Sequence, residues 1–242
     1  MKVLVISDIH ANLTALETVL ADADEYDTVW CLGDLVGYGP DPNECIDLVR
    51  GLSNLVCILG NHDAAALKQI GVEAFNPDAQ RSVLWMQEQL SSKNVAFLKG
   101  LPEKVVLGEV TIAHGSPRKP VWEYILDVFT ATINFESFDT PYCFVGHTHV
   151  PLEYRLIEGR NLALMSYPEP KSTHTLIPRT IINPGSVGQP RDRDPRAAYA
   201  LFDTETSIWE SRRVEYDIIT VQDRMRSEGF PTRHIERLSV GW

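Results

Sequence analysis

Five short segments, each preceded by an apolar stretch of β type, end in residues of the kinds that ligate metal ions. They are residues 7–12 (SDIHAN), 33–34 (GD), 60–63 (GNHD), 113–115 (AHG) and 146–149 (GHTH). Five of the seven histidines lie inside them. Because ligands of α/β proteins bind beyond the carboxyl ends of the strands, segments that begin where strands end bring their side chains to one rim. The sequence therefore predicts a single pocket that holds two metal ions.

The apolar patterns predict alternating strands and helices in the first half of the chain. Predicted strands at residues 3–7, 28–32 and 55–59 alternate with predicted helices at 13–21, 41–50 and 78–90. Such alternation is typical of parallel strands joined by right-handed crossovers. Past residue 100 strands predominate, at 104–107, 110–113, 142–145, 152–157, 161–166, 180–182, 197–202 and 208–213, with helical regions at 122–138, 216–226 and 232–238. We expect an α/β fold of the four-layer α+β type, with two packed mixed β-sheets flanked by helices, and a single domain over residues 1–242.

The charge of the chain argues against nucleic acid as a partner. Lys and Arg total 22 and Asp and Glu total 33, which gives a net charge of −11. An acidic protein without a basic run repels a phosphate backbone, which also disfavours a nuclease. The metal ions must therefore supply much of the positive potential that attracts any phosphate substrate.

Cysteine usage and hydropathy predict a cytoplasmic protein. The four cysteines lack the paired spacing of a zinc ribbon or a redox motif, so we expect buried thiols rather than disulfides. The apolar run at residues 3–6 is too short for a signal peptide, and no stretch has the length of a membrane span. We therefore expect no membrane partner.

The residue types in the five segments suit transition metals. Asp8 and His10 are two residues apart, as are His147 and His149, and on an extended chain such pairs point to the same face. A carboxylate such as Asp34 can bridge two ions, and imidazole with oxygen ligands suits Mn, Fe, Zn, Co or Ni rather than Ca. Glycines stand before ligands where the backbone is expected to turn sharply, at Gly33, Gly60 and Gly146.

The order of these motifs resembles that of the calcineurin-like metallophosphoesterases. The shared order is Asp-x-His, Gly-Asp, Gly-Asn-His-Asp, His and Gly-His-x-His, over residues 7–149. The resemblance implies the metallophosphoesterase sandwich fold and two transition-metal ions, divalent or trivalent. One ion would be held by Asp8, His10, Asp34 and His149, and the other by Asp34, Asn61, His114 and His147. The segments GYGPDP from Gly37 and NPGSVGQPR from Asn183 resemble those of small prokaryotic phosphodiesterase-like members.

The resemblance also implies a reaction. A small phosphorylated substrate, with a nucleotide among the options, would be hydrolysed at a phosphodiester or a nucleotide-type phosphoanhydride. A hydroxide that bridges the two ions would attack in line, without a covalent enzyme intermediate. His62, beside the ligand Asn61, is the expected catalytic residue, as a proton donor to the leaving oxygen or as a stabiliser of the transition state.

Two alternative functions remain open on the sequence. One is a phosphomonoesterase or protein phosphatase. Protein phosphatases of this family, like its symmetrical diadenosine tetraphosphatases, typically carry an Arg a few residues after Gly-Asp, where this chain has Gly37 and Tyr38. The other is a non-catalytic metal-binding scaffold of the same fold. The presence of His62 and of every ligand argues against a scaffold.

The candidate substrate contacts are Asn12, Tyr38, Arg118 and Arg191. Asn12 is equally expected as the N-cap of the helix at residues 13–21. Tyr38 either packs in a turn or stacks on a substrate base. Arg118 or Arg191 is expected to replace the missing arginine as a phosphate clamp, and Arg191 lies in one of two expected loops, residues 167–175 and 183–191.

Several residues outside this set receive structural interpretations. His174 and His234 are expected to be surface or turn histidines, and Trp122 is expected to pack in the core or at an edge. Asp63 follows His62 directly and is a candidate partner for it.

Overall fold

The computed structural model describes residues 1–23 and 25–242, and within them twelve strands form two six-stranded mixed sheets. The strands are β1 (Lys2–Ile6), β2 (Thr28–Cys31), β3 (Leu55–Cys57), β4 (Lys104–Leu107), β5 (Val110–Ala113), β6 (Tyr142–Phe144), β7 (Leu152–Arg155), β8 (Leu164–Ser166), β9 (Thr173–Thr175), β10 (Thr180–Asn183), β11 (Ala197–Asp203) and β12 (Ile208–Val214). The α-helices are α1 (Leu13–Asp22), α2 (Pro42–Arg50), α3 (Asn61–Ala66), α4 (Pro77–Gln89), α5 (Ser92–Lys99), α6 (Val128–Asn134), α7 (Ile218–Ser227) and α8 (Thr232–Val240).

Each sheet contains a parallel block of three strands. The first sheet has the order β3-β2-β1-β11-β12-β9, and β1, β2 and β3 run parallel. The second has the order β4-β5-β6-β10-β7-β8, and β5, β6 and β10 run parallel. The carboxyl ends of a parallel block lie at one edge of its sheet. The loops that follow the three strands of each block therefore lie together at that edge.

The two faces of β1 show how the layers are built. Val3 and Val5 pack with Trp30, Ile112 and Phe144 in a core between the two sheets. The alternate residues of β1 pack on the opposite face against α1 and α2, since successive strand residues point to opposite faces. On the second sheet the outer face packs against α6. The predicted four-layer arrangement of two mixed sheets with flanking helices is confirmed.

Three elements differ from the sequence-based expectation. The helical region expected at residues 122–138 contains only α6, because the Asp127 side chain accepts hydrogen bonds from the Phe129 and Thr130 main-chain N–H groups and so begins the helix there. The loop expected at 167–175 ends in β9, a polar edge strand that forms by pairing with β12. Helix α5 was not expected, and it begins at the N-cap Ser91.

The expected state of the cysteines is confirmed, since all four are buried free thiols. None of the helices in the described part of the chain is both long enough and apolar enough to cross a membrane.

Candidate metal centre

The five ligand segments follow five strands of the two parallel blocks. Asp8 comes after β1, Asp34 after β2, Asn61 after β3 and His114 directly after β5. The segment that carries the last two histidines, His147 and His149, follows β6. All seven expected ligand side chains are buried. The two sheets thus converge on one site between the ends of their parallel strands.

The backbone at the ligands is not extended, contrary to the expectation from the two-residue spacing. Asp8, His10, Asp34, His147 and His149 have φ angles of 54°, 49°, 54°, 67° and 61°. L-residues rarely occupy this left-handed region, and the strain costs about 1–3 kcal/mol per residue. The chain therefore turns sharply at these five residues, and hydrogen bonds such as those from the Asp8 and His10 N–H groups to the carbonyls of Gly33 and Asp34 hold the turns.

Asp8, His10 and His149 form the first ligand group, and their ligand atoms all lie within 4.8 Å of one another. The Nδ1 of His10 lies 3.0 Å from the Val36 carbonyl oxygen, and the Nδ1 of His149 lies 2.6 Å from that of Gln189. A ring nitrogen beside a carbonyl must carry the proton and donate it, so the Nε2 of each neutral ring presents a lone pair. These two Nε2 atoms face each other at 2.9 Å, with Asp8 Oδ1 3.3 Å from the Nε2 of His149.

Asp34, His114 and His147 form the second ligand group. The Nδ1 of His114 donates to the Leu32 carbonyl at 2.8 Å, which leaves its Nε2 3.1 Å from Asn61 Oδ1 and 3.3 Å from Asp34 Oδ2. His147 is oriented the other way, with Nε2 3.2 Å from the Trp122 carbonyl oxygen. Its Nδ1 is therefore the nitrogen available to a metal ion.

The two ligand groups contain buried hydrogen-bond acceptors without donors, which suits them to bind metal cations. Within the described residues Asp34 Oδ2 is buried without a hydrogen-bond donor. It lies 3.3 Å from His114 Nε2 and 3.7 Å from His10 Nε2, which places the carboxylate between the two groups. Facing lone pairs and an unpaired carboxylate oxygen are costly in a buried site unless a cation lies among them. We infer that two cations belong there.

The electrostatics of the site favour the ligand forms of Asp34 and of three histidines. Burial raises the pKa of Asp8 to about 6, and at His114 the charge of Asp34 outweighs burial and raises the pKa to about 10, so a metal ion would displace a proton from His114. Burial lowers the pKa of His10, His147 and His149, so these imidazoles are neutral. Burial acts on Asp34 in the opposite sense, but the neighbouring histidines, led by His114, outweigh it and lower the pKa of this carboxyl well below its usual range. Neutral imidazoles and ionised carboxylates are the forms that bind metals.

His62 lies beside both ligand groups without belonging to either. Its ring packs edge-on against His10 at 5.0 Å and against Phe75 at 4.9 Å, and its main-chain N–H donates to Asp34 Oδ1 at 2.8 Å. Within the described residues its Nδ1 is buried without a partner. Burial lowers the pKa of His62 to about 4. The ring therefore has unused hydrogen-bonding capacity next to the centre.

Asp63 does not contact His62 through its side chain. Its two carboxylate oxygens accept hydrogen bonds from the N–H groups of Val36 and Gly60, both at 3.1 Å. Asp63 therefore fixes the two loops that carry Asp34 and Asn61, and its side-chain hydrogen bonds do not include His62.

The candidate substrate contacts divide into two pairs. Asn12 caps α1 through Ala15 N–H and donates to the Gly188 carbonyl, so its side chain is committed to structure. Arg118 is paired with Glu123 through two hydrogen bonds.

The other pair lies at the centre. Tyr38 contacts the rings of His10 and His62 at 4.8 and 4.5 Å. The Arg191 guanidinium lies over the Tyr38 ring at 5.5 Å, and the Nε of Arg191 is buried without a hydrogen-bond partner in the described chain.

An aromatic rim that was not expected surrounds the centre. We use this name for Phe75, Trp122 and Tyr124. Tyr124 stacks on the ligand His147 at 3.6 Å, and Phe75 lies 5.3 Å from Trp122. Trp122 and Tyr124 are 37% and 42% exposed, so of the two places expected for Trp122, the core or an edge, it occupies an edge, which here is the edge of the site. Only its place in the loop directly after the histidine segment 113–115 hinted at a role in the site.

His234 also differs from its interpretation as a surface or turn residue. It is buried on α8 and packs edge-on against Tyr38 at 4.8 Å. His174 lies on β9 and contacts Glu153 at 2.8 Å, away from the ligand groups.

Comparison with known proteins identifies the class to which this fold and site belong. The domain model of the calcineurin-like phosphoesterase superfamily matches residues 1–207, and the chain belongs to this superfamily. It is a metal-dependent phosphoric ester hydrolase. Residues 208–242, which include α7 and α8, lie beyond the matched domain.

Individual relatives cover different shares of the chain. An uncharacterised protein of Methanocaldococcus jannaschii is 38% identical over 245 residues, which are 98% of this chain and 97% of that protein. The crystal structure of a metallophosphoesterase from Sphaerobacter thermophilus is 46% identical with a TM-score of 0.92, and the match covers 100% of this chain and 99% of that one. A symmetrical bis(5'-nucleosyl)-tetraphosphatase of Pectobacterium carotovorum is 32% identical over 105 residues, 37% of each chain.

Proposed function

We propose that the protein hydrolyses a phosphodiester or a nucleotide-type phosphoanhydride at a centre of two metal ions. One ion is assigned to Asp8, His10, Asp34 and His149, and the other to Asp34, Asn61, His114 and His147. The observation that supports the proposal most directly is the convergence of lone pairs from two ligand groups on both sides of the Asp34 carboxylate. When bound, two such ions polarise a phosphoryl group and lower the pKa of water. The native metal is one of Mn, Fe, Zn, Co or Ni.

The side chains around the ligands have assigned roles in the reaction. His62 donates a hydrogen bond to the leaving oxygen, since a neutral imidazole still carries one N–H donor. Arg191 contacts the phosphoryl oxygens as the clamp, because its charge lies beside the centre and its Nε lacks a partner in the described chain. Tyr38 contacts both the Arg191 guanidinium and the His62 ring and so helps to position them.

The aromatic rim supports a nucleotide among small phosphorylated substrates. Partly exposed rings at Trp122 and Tyr124 offer stacking surfaces for a nucleobase. A cleft of about 540 Å³ is lined in part by Arg191 and by Val150, which follows His149 in the sequence, although no candidate ligand lines it. The tetraphosphatase relative acts, by its name, on a dinucleoside tetraphosphate. We therefore place the reacting phosphorus at the ligand groups and the nucleoside at the rim or in the cleft.

A substrate panel tests the proposed function. The protein loaded in turn with Mn, Fe, Co, Ni and Zn is assayed on bis(p-nitrophenyl) phosphate, p-nitrophenyl phosphate and dinucleoside polyphosphates, beside elemental analysis. We expect turnover of a diester or an anhydride above the monoester. No turnover with any metal on any substrate would overturn the proposal, and a preference for the monoester would favour the phosphatase alternative.

The variant His62→Ala separates an enzyme from a metal-binding scaffold. Alanine retains the main-chain N–H that donates to Asp34 Oδ1, so bound metal is expected to be retained. The rate is expected to fall roughly 10²- to 10⁴-fold, the usual contribution of general acid catalysis. His174→Ala, at a histidine on β9 outside both ligand groups, is the matched control and should keep the wild-type rate. An unchanged rate in His62→Ala would remove His62 from the mechanism.

We also propose that residues 1–242 form one domain, since α8 packs on Tyr38 at the centre. We further propose that the protein works in the cytoplasm. The four free thiols support a reducing compartment.

A further inference from the structure

Helix α8 reaches the metal centre from outside the matched family domain. His234 and Arg237 are one turn apart on α8 and share a face. His234 packs against Tyr38, and the Arg237 Nη1 atom donates to Gln189 Oε1 at 3.2 Å. Gln189 is buried, and its main-chain carbonyl accepts from the ligand His149. A single residue therefore separates Arg237 from the centre.

Two guanidinium groups share the Gln189 side chain. Arg191 Nη2 donates to Gln189 Oε1 at 2.9 Å, and Arg237 donates to the same oxygen. Across residues 1–23 and 25–242, no acidic side chain forms an ion pair with Arg191 or Arg237. Two arginines near them are paired with acids, Arg213 with Asp192 and Arg196 with Asp194. Two neighbouring guanidinium groups without an acidic partner, on a buried glutamine, leave a local positive charge that an anion would neutralise.

Unused donors lie around the same point. Gln189 Nε2 and Arg191 Nε are buried and have no acceptor among the described residues, and the Nδ1 of His234 has no partner there. Gln189 is 1% exposed, so water does not satisfy its amide from the surface. Leaving such donors unpaired costs about 1–3 kcal/mol each. An anion between the two arginines would accept from these donors.

Burial and a neighbouring positive charge disfavour the charged form of Arg237. Burial, and next the charge of Arg191, lower the pKa of Arg237 to about 10. Two like charges held close together in a partly buried place are unfavourable until a negative charge joins them.

We propose that Arg237, Arg191 and the Gln189 side chain form an anion subsite beside the metal centre, and that this subsite binds a second phosphoryl group of the substrate. Arg191, the proposed clamp, would then contact both phosphoryl groups, and Arg237 only the second. Arginine pairs suit this role because a guanidinium donates two parallel hydrogen bonds to phosphate. The substrate class is then a phosphoanhydride, with one phosphorus at the ligand groups and the next at the subsite. This specificity rests on the proposed function for its reaction, but the subsite itself can be tested by binding alone.

The direct experiment measures the affinity for inorganic pyrophosphate and for inorganic phosphate by calorimetry, at matched metal content. The wild-type protein is expected to prefer pyrophosphate. Arg237→Met is expected to weaken pyrophosphate binding about tenfold, the scale of one charge-assisted hydrogen bond, and to reduce the preference over phosphate. Arg233→Met is the matched control, because Arg233 lies on the same helix with its guanidinium over the Trp242 ring at 5.8 Å. It should bind both anions as the wild type does.

A structural role for Arg237 gives a different pattern. Its Nε also donates to the Trp242 main-chain oxygen at 2.7 Å, so Arg237→Met could loosen the end of α8. Arg237→Lys retains the charge and is expected to recover part of the lost pyrophosphate affinity, which a purely structural role would not restore. If Arg237→Met does not fold, Arg237→Gln replaces it, and its affinities for pyrophosphate and for phosphate are measured in the same way. The proposal is overturned if the variant that lacks the Arg237 charge binds pyrophosphate as tightly as the wild type. It is also overturned if Arg233→Met loses as much pyrophosphate affinity as Arg237→Met.

Turnover provides the second readout. The ratio of kcat/KM for a dinucleoside polyphosphate to kcat/KM for a single-phosphorus diester is expected to fall about tenfold in Arg237→Met. An unchanged ratio counts against the subsite. Absence of any turnover in the wild type would refute the proposed function, while the pyrophosphate measurement would still decide whether the subsite exists.

Discussion

Gly60 lies so close to Asp34 that a β-carbon on Gly60 would come within 2.7 Å of the Asp34 carboxyl carbon. The main-chain N–H of Asp34 and its Oδ1 atom would be approached more closely still. Overpacking of this kind typically costs about 1–3 kcal/mol, and here the group that must move is the carboxylate between the two ligand groups. Gly60→Ala is therefore expected to lower metal affinity by roughly tenfold or more.

Elemental analysis and a metal titration of Gly60→Ala measure the effect. Gly100→Ala is the matched control, because a β-carbon there would meet only main-chain oxygens at ordinary distances of 3.4 and 3.8 Å. Wild-type metal affinity in Gly60→Ala would show that the Asp34 carboxylate is not needed in its present position.

Removal of metal is expected to destabilise the protein. The unpaired acceptors of the two ligand groups would face one another without a cation between them. At a free metal concentration of 100 times the Kd, binding stabilises a fold by about 2.7 kcal/mol, which in a chain of this size is a rise in Tm of roughly 5–10 °C. Thermal unfolding of chelator-treated protein with and without added Mn, Co or Zn measures this rise. Ca²⁺ is the control, because histidine-rich sites bind it poorly. A Tm that no transition metal raises contradicts the assigned centre.

The clustering of the candidate ligands was predictable because their positions follow from local sequence and one general rule. Asp8, Asp34 and His114 each come within three residues of the end of a buried strand, and parallel strands present their carboxyl ends at one edge. The side-chain directions were not predictable. A spacing of two residues suggests an extended chain, but contacts such as the hydrogen bond from His10 N–H to the Asp34 carbonyl impose left-handed turns that no pattern of apolar residues records.

The surroundings of the ligands could not be read from the sequence for a different reason. Trp122 and Arg237 belong to no motif. Trp122 lies seven residues after Gly115, and Arg237 lies 46 residues after Arg191. Their places depend on how α8 and the loop after β5 pack on the finished sandwich. The whole chain decides tertiary packing of this kind. The local sequence around Trp122 is therefore as compatible with simple packing at an edge as with a place at the site.

The aromatic rim makes a prediction about substrate choice. Stacking on an aromatic ring is worth about 1–3 kcal/mol per base. Trp122→Ala is therefore expected to raise the KM for a nucleotide substrate about tenfold, and to raise it much less for an aliphatic phosphodiester such as a glycerophosphodiester. Trp122→Phe should retain most of the affinity. Phe129→Ala, at an exposed ring on α6, is the control. Equal effects of Trp122→Ala on both substrates would mean that the rim shapes the site without binding a base.

The burial of His234 makes the stability of the α8 contact sensitive to acid. Burial, and next the charge of Arg237, lower the pKa of His234 to about 3 from an ordinary value of 6.5. Between these two values the unfolded chain binds a proton that the folded protein does not, so the stabilisation is complete above pH 6.5 and is lost as the pH falls towards 3. The loss is at most about 1.4 kcal/mol per pH unit.

Urea unfolding of the metal-free protein from pH 7.5 to 4 measures this loss. The difference in unfolding free energy between wild type and His234→Leu should grow in favour of the variant as the pH falls. The ligand histidines titrate in both proteins and largely cancel in this difference. A difference that stays constant with pH would show that His234 is protonated in the folded protein as readily as in the unfolded chain.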